Sequence, residues 1–234
     1  MFKRLTTITL VLLVSACATE NSIDNTSNVT KNAEPSNADE TVQITQNSSA
    51  NKNYDEAVKA FKSAPTLLKV KQLKLDYIST DYYQPFSGSE QKLSEQMFSY
   101  VEAKDWSDCL IVAEQILASN YVSFNGHYGA MACSFESDKK SAGLHHREVL
   151  SYLLDAMWQS GDGRGPNSAL VSLSTTEIYG FLKLTGFQVL KQSMFEFKKL
   201  SYELVRVIDP DSNEEFDLFF NNSIQWQYGF KHVD

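Results

Sequence analysis

Apolar residues recur at helical spacing from Tyr54 to about Ser160, and turn signals divide this stretch into segments. The first segment, YDEAVKAFKS, ends before Pro65, a residue that a helix interior does not tolerate. Later segments repeat the same pattern, with the loop DYYQPFSGSE between two of them. The pattern therefore predicts a helical part over residues 54–165.

The second of these segments, TLLKVKQLKLDYIST, is rich in lysine. On a helical wheel one side of it carries Leu68, Lys71, Leu75 and Ile78. The remaining lysines form a cationic fringe, which is more typical of a solvated helix face than of a membrane-binding one.

After Gly165 the pattern changes to the alternation typical of strands. SALVSLS predicts a short strand, and STTEIYGFLKLTG predicts a helix that begins with a capping box of Ser174 and Glu177 and ends at Gly186. Three extended segments follow, FQVLKQSMFEF, LSYELVRVI and EFDLFF. We expect residues 166–234 to form a β-α-β-β-β unit that packs on the helices. The predicted fold class is α+β, with helical hairpins followed by a small, mainly antiparallel sheet.

The chain opens with the features of a secretion signal. Lys3 and Arg4 precede an apolar run that is too short to span a membrane. The tetrapeptide VSAC, which ends at Cys17, resembles the lipobox of bacterial lipoproteins, in which the cysteine becomes the lipidated first residue of the mature chain. Ala18 stands where a retention signal would have aspartate, so the resemblance implies the outer membrane. We assign residues 1–16 to the signal peptide.

Residues 18–53 are rich in Asn, Ser, Thr and acidic residues and have almost no large apolar side chains. Such a composition cannot bury enough surface to offset its ordering entropy, so residues 17–53 are predicted to be a lipidated cysteine and a disordered tether. The chain contains 21 Lys+Arg and 29 Asp+Glu, a formal net charge of -8. Because this charge repels phosphate backbones and anionic lipids, we expect no nucleic-acid partner and membrane contact through the lipid anchor only.

Two cysteines remain once Cys17 is assigned to the anchor. Cys109 and Cys133 lie at similar distances from a turn near Asn120, so an antiparallel helix pair would bring them level. An oxidising compartment permits their pairing. They form either a disulfide or two buried free thiols.

Two histidines form the predicted polar centre. His146 lies on the apolar stripe of its helix, and His127 lies beside the apolar stripe of the preceding one. A turn near Asp138 brings the two within about one helical turn of the same level. Such a pair serves as a proton relay, as part of a metal site, or as hydrogen-bonded core residues. No complete ligand set accompanies it, so we predict no metal and no cofactor.

Asp162, between Gly161 and Gly163, is the third catalytic candidate beside the two histidines. The helix from His146 to Ser160 spans about 20 Å, which separates this carboxylate from the imidazoles. The two glycines predict a helix end followed by a tight turn, in which Asp162 accepts hydrogen bonds from its own backbone.

Two family resemblances extend this interpretation. The first is to the tetratricopeptide repeat, although lysine stands where that family has glycine and its closing proline is absent. It is carried by Tyr100, Lys104-Asp105-Trp106, Ala113, Ile116-Leu117 and Tyr128. It implies stacked helical hairpins.

The second resemblance covers residues 120–222. His127 and His146, the SGDG segment and the late DPDSNEEFDLFFN segment resemble an uncharacterised family of secreted bacterial proteins, described only as a domain of unknown function. This resemblance implies fold boundaries and no particular activity.

Together these observations favour an envelope lipoprotein, anchored in the outer membrane and facing the periplasm or the surface, that binds another envelope protein or a peptide. Five aromatic residues are predicted to rim the binding groove: Tyr82, Tyr83, Phe86, Trp106 and Tyr121. The alternative is a hydrolase or metal-dependent enzyme centred on His127 and His146.

Overall fold

The computed structural model describes residues 39–86 and 88–228, with side chains from residue 49 onward. The predicted signal peptide, Cys17 and the tether up to residue 38 lie outside the described residues. The helices, in chain order, are α1 (Asp39–Ser63), α2 (Leu67–Tyr77), α3 (Ser89–Ala103), α4 (Trp106–Ser119), α5 (Phe124–Glu136), α6 (Lys140–Trp158), α7 (Thr175–Thr185) and α8 (Ser223–Tyr228). The strands are β1 (Leu170–Val171), β2 (Gln188–Phe197), β3 (Leu200–Ile208) and β4 (Glu215–Asn221). The fold class is α+β, as predicted.

Side-chain caps determine where several helices begin. Thr66, Asp105 and Ser123 each accept a hydrogen bond from the backbone N–H three residues on, at the starts of α2, α4 and α5. Such caps satisfy amides that have no partner within the helix. From α3 to α6 each helix packs against the next one along the chain, which places α5 between α4 and α6.

The first helix begins earlier than the sequence predicted. Residues 39–53, assigned to the disordered tether, are the first part of α1. Its later part is held by Tyr54 and Phe61, which are buried in the core. The prediction was wrong because it relied on apolar periodicity, which residues 39–53 lack. These polar residues extend a helix whose core residues, Tyr54 and Phe61, come later in the chain. In the part of the chain that is described, no helix combines the length and apolar character needed to cross a membrane.

The face of α2 that carries the lysines, which was predicted to be solvated, differs from the prediction. Leu68 and Leu75 are 78% and 57% exposed. The buried residues of α2 are Val70, Leu73, Lys74 and Tyr77. The prediction was wrong because Lys74 pairs with the buried carboxylate of Glu177, so this lysine belongs to the core side rather than to the solvent.

The strands form one sheet in the order β1-β4-β3-β2. β2 and β4 each pair with β3 in antiparallel orientation, and the short β1 pairs with β4 in parallel. The β-α-β-β-β order is confirmed. Ser174 caps α7 as predicted, and Gly186 ends this helix with a left-handed φ of 74°.

Aromatic residues connect the sheet to the helices. The ring of Phe181 on α7 lies 6.4 Å from Phe124 on α5, 5.1 Å from Trp158 on α6 and 5.9 Å from Phe220 on β4, measured between centroids. Because these rings are large and mostly buried, their packing holds the sheet against the helical part.

Candidate functional site

His127 on α5 and His146 on α6 contact each other inside the helical part. Their Nδ1 atoms are 2.9 Å apart, which is a hydrogen-bond distance. His127 is 0% exposed and His146 is 8% exposed. The helical spacing that placed the two residues at one level thus corresponds to a direct contact.

The hydrogen bonds determine where the protons lie on this pair. Nε2 of His127 is 2.8 Å from the carbonyl oxygen of Tyr121, which can only accept, so Nε2 carries the proton. Nδ1 of the neutral His127 is then an acceptor, and Nδ1–H of His146 donates to it. The remaining nitrogen of His146, Nε2, therefore has a lone pair and no proton.

Both imidazoles are held in the neutral form. Burial, and then the neighbouring His146, lowers the pKa of His127 well below its usual value. Burial also lowers the pKa of His146 from 6.5 to about 4, with smaller contributions from the charges of His145 and Lys62. Desolvation disfavours the charged imidazolium in each case.

Tyr121 organises the other side of the pair. Its ring meets that of His127 edge to face, with centroids 4.8 Å apart. Its hydroxyl is 3.0 Å from Nε2 of His145, and the Lys62 ammonium lies 4.5 Å from its ring centroid. Burial raises the pKa of Tyr121. A neutral phenol, three imidazoles and one lysine thus form a single polar cluster within the helices.

An open cleft adjoins this cluster at the start of α6, and we call it the α6 cleft. Residues 138–142, His145 and His146 line its volume of about 690 Å³. His146 is therefore the link between the buried pair and the solvent. The described residues bring together no group of three His, Cys, Asp or Glu side chains with metal-binding geometry. What the arrangement offers chemically is an unprotonated imidazole nitrogen, which acts as a hydrogen-bond acceptor or a base.

Asp162 belongs to a separate loop beyond the far end of α6. Its carboxylate accepts hydrogen bonds from the Ser168 hydroxyl at 2.6 Å and the Arg164 backbone N–H at 2.9 Å, and these bonds lower its pKa. A side chain at Gly161 would meet the carbonyl oxygen of Ser168, and Gly163 has a left-handed φ of 68°. The loop therefore explains both glycines and the aspartate locally, as the turn prediction described.

Cys109 on α4 and Cys133 on α5 are joined by a disulfide, with their Cα atoms 6.3 Å apart. Both residues are 0% exposed. The bond links two neighbouring helices, of which α5 carries His127.

The five aromatic residues predicted to rim a groove do not form one surface. Tyr83 and Tyr121 are buried, and the Tyr83 hydroxyl donates to the carbonyl of Leu173. Tyr82 and Trp106 are half-buried. The half-buried Phe86 lies 5.0 Å from Trp226, measured between ring centroids. The predicted groove was wrong because aromatic residues with large apolar area fill the core first.

A second buried polar cluster was not found from the sequence. Lys74 on α2 pairs with Glu177 on α7, and both side chains are at most 10% exposed. The other Glu177 oxygen accepts a 2.6 Å hydrogen bond from the Leu173 backbone N–H. The capping box identified the position of Glu177 in its helix, but no local signal indicated the distant lysine.

Glu90 on α3 faces the same small cavity as Glu177. Its carboxylate accepts hydrogen bonds from the Ser123 hydroxyl at 2.7 Å and the Asn120 amide at 2.8 Å. Burial raises the pKa of Glu90 despite these bonds, and the charge of Glu177 adds to this effect. Because Ser123 also caps α5, Glu90 connects the start of α3 to the α4–α5 corner, which is a structural role.

Comparison with known proteins gives one match. No curated protein and no solved structure matches this chain. The family model described as "Domain of unknown function (DUF4919)" matches residues 40–227, which is most of the chain and includes both histidines, the disulfide and the whole sheet. The chain therefore belongs to this DUF4919 family.

Proposed function

We propose that this protein is an envelope lipoprotein, anchored in the outer membrane through Cys17, that binds an extended segment of another envelope protein along strand β2. The signal-like first residues and the VSAC tetrapeptide support the anchor. The buried disulfide between Cys109 and Cys133 supports an oxidising compartment, since such bonds rarely persist in the cytosol.

The observation that carries the binding role is the free edge of β2. This strand has ten residues, lies at the end of the sheet and pairs only with β3 in the described part of the chain. Val189, Leu190 and Met194 on it are 41%, 44% and 55% exposed. An edge with unpaired backbone groups and exposed apolar side chains is a template for an added strand.

The charges near this edge favour an acidic partner segment. Lys191, Lys198 and Lys199 are exposed on β2 and in the turn that follows it, against the single acidic residue Glu196 in the same stretch. The chain as a whole has a net charge of -8, so this edge is a local cationic exception. An extended segment with alternating apolar and acidic residues complements both features.

The test is site-specific photo-cross-linking in intact envelopes, with a benzophenone amino acid placed at Met194. We expect an adduct with one partner, and mapping of the cross-linked peptide is expected to show an acidic, apolar segment. Leu190→Glu is expected to abolish the adduct by opposing that segment. The matched control places the photo-reactive residue at Leu68, which is 78% exposed on α2. Adducts of equal yield from both positions, or adducts only between copies of this chain, would contradict the proposal.

The enzyme alternative receives less support. His127 is completely buried and both of its ring nitrogens are engaged in hydrogen bonds. Asp162 is occupied by its own loop. Of the two paired histidines, His146 is the one that lines the α6 cleft, and a single unprotonated imidazole supports ligand binding more directly than hydrolysis.

A further inference from the structure

The buried contact between Lys74 and Glu177 joins two elements that are far apart in the chain. Lys74 lies on α2 and Glu177 in the first turn of α7, and neither side chain is more than 10% exposed. Among the described residues, Glu177 is the one ionic partner of this lysine. Because the burial of two charges costs free energy that an ion pair rarely recovers in full, a reaction that removes both charges is favoured at this position.

The two side chains bring an amine nitrogen next to a carboxyl carbon. Nζ of Lys74 touches Oε1 of Glu177, and this contact does not have the geometry of a hydrogen bond. Since Oε1 is bonded to Cδ, the nitrogen lies within van der Waals reach of that carbon, as an attack on it requires. Transfer of a proton within the pair leaves a neutral amine, which is a nucleophile, and a carboxylic acid, which is its electrophile.

Two neighbouring groups supply what a condensation of this pair needs. The backbone N–H of Leu173 donates a 2.6 Å hydrogen bond to Oε2 of Glu177, on which negative charge develops when Cδ is attacked. Glu90 faces the same cavity as Glu177, and burial raises the pKa of Glu90, which favours its protonated form. The cavity has a volume of about 10 Å³, which is about the room that one water molecule needs. A proton carrier and a space for a leaving water thus adjoin the contact.

We propose that Lys74 and Glu177 form an isopeptide bond as the protein matures. The bond from Nζ to Cδ forms, the bond from Cδ to Oε1 breaks, and Oε1 leaves as water. Of the three ammonium protons, two leave with this water and one stays on the amide nitrogen. Glu90 relays the last proton from the nitrogen to the departing oxygen and ends protonated, as it began. An ammonium and a carboxylate thus become one amide and one water, and no further reactant is needed.

The isopeptide bond fastens the start of the described chain to the part that carries the sheet. α1 packs on α2, and the bond links α2 covalently to α7. The hydrogen bond from Leu173 then satisfies the new amide oxygen, so the neutral product is compatible with burial. Because neither residue lies on β2, the bond forms independently of the partner binding proposed for that strand.

The test is peptide mapping of the full-length folded chain by mass spectrometry, after reduction of the disulfide. In most chains we expect a branched peptide that contains Lys74 and Glu177 and whose mass is one water below the sum of its two parts. Trypsin is expected to leave the chain intact after Lys74, because an acylated lysine is no longer its substrate. The half-buried Lys71 on the same helix is the internal control and should be cleaved. Recovery of the two peptides unlinked from folded wild type would overturn the proposal.

Variants separate the condensation from the ion pair. Lys74→Arg keeps a positive charge but removes the amine, so no branched peptide is expected, whereas Lys71→Arg is the matched control and should leave its yield unchanged. In pulse-labelled chains, Glu90→Gln is expected to slow the appearance of the branched peptide at least about tenfold, while circular dichroism shows that the helices are folded. A purely structural role of Glu90 would lower the folded fraction instead. Formation of the bond at the wild-type rate in folded Glu90→Gln would contradict the proton relay.

Discussion

At the residue scale, the backbone carbonyl of Tyr121 controls what His146 offers to the α6 cleft. This carbonyl keeps the proton of His127 on Nε2, and the contact between the two Nδ1 atoms then places the proton of His146 on Nδ1. Buried hydrogen bonds of this kind select a tautomer because an unsatisfied buried donor or acceptor costs about 1–3 kcal/mol. His127 thus fixes the tautomer of His146, the member of the pair that lines the α6 cleft.

The lowered pKa of His146 predicts that stability falls in mild acid. An imidazole in the unfolded chain takes up a proton below its ordinary pKa of 6.5, while in the folded chain the pKa is about 4. Between these values only the unfolded chain is protonated, so stability that is present above pH 6.5 is lost as the pH falls toward 4. His146 is expected to account for a loss of about 2 kcal/mol between pH 7 and pH 4.5.

Urea denaturation of the wild type and of His146→Gln, at a series of pH values, measures this contribution. The variant is expected to be less stable at pH 7, and the two stability curves should converge as the pH falls. Parallel curves would show that this imidazole does not titrate with unfolding.

Lys104 is held in a backbone conformation that suits glycine. It ends α3 with a φ of 58° in the left-handed region, and its side chain is exposed. A side chain costs about 1 kcal/mol in this region, and glycine avoids that cost. We expect Lys104→Gly to raise the free energy of unfolding by up to about 1 kcal/mol, measured by chemical denaturation. Lys104→Ala is the control, and an equal gain from it would mean that the charge rather than the backbone is responsible.

At the element scale, the sheet was predictable because each of its elements has a strong local signal. β2, β3 and β4 alternate or are rich in β-branched and aromatic residues, and the capping box marked the start of α7. The helical pattern likewise located α3 to α6, and the spacing of His127 and His146 on two successive helices placed them at one level.

What was not predictable depends on partners far away in the chain. From the sequence alone, Lys74 indicates a solvated helix face. In the structure this lysine is buried, because Glu177 on α7 supplies its counter-charge. Glu90 has no local mark of burial, because its partners Asn120 and Ser123 belong to the α4–α5 corner. The open edge of β2 follows only from the strand order, since the sequence of a strand does not show which neighbour it lacks.

The disulfide between α4 and α5 is expected to contribute much of the stability of the helical part. It closes a loop between residues 24 positions apart. In the chain-entropy description, a loop of this length stabilises the folded state by about 3 kcal/mol. We expect the double variant Cys109→Ser, Cys133→Ser to lose about this amount in urea denaturation. Reduced wild type should match the double variant, and Cys17→Ser should remain sensitive to reductant. Wild type whose stability is the same with and without reductant would contradict this prediction.

At the scale of the whole molecule, the charge distribution suits a protein that stays near a membrane without lying on it. The chain has a net charge of -8, and an anionic lipid surface repels it. Cationic exceptions are local, as at the β2 edge, at the start of α6 and on the lysine-rich α2. The proposed lipid anchor at Cys17 would attach the chain without direct adsorption of its charged surface.

The proposed lipid anchor predicts how two single substitutions change the location of the protein. Several acyl chains on one cysteine bury enough methylene groups for stable attachment, so Cys17→Ser is expected to move the chain from the membrane pellet to the soluble envelope fraction. In the bacterial lipoproteins that this segment resembles, aspartate after the cysteine is a retention signal, so Ala18→Asp is expected to shift the chain from the outer to the inner membrane. Density-gradient fractionation and mass spectrometry of the N-terminal peptide measure both effects. Cys109→Ser is the cysteine control and should stay in the outer membrane. Retention of Cys17→Ser in the pellet would mean that protein surface, such as the cationic edge of β2, holds this molecule at the membrane instead of acyl chains.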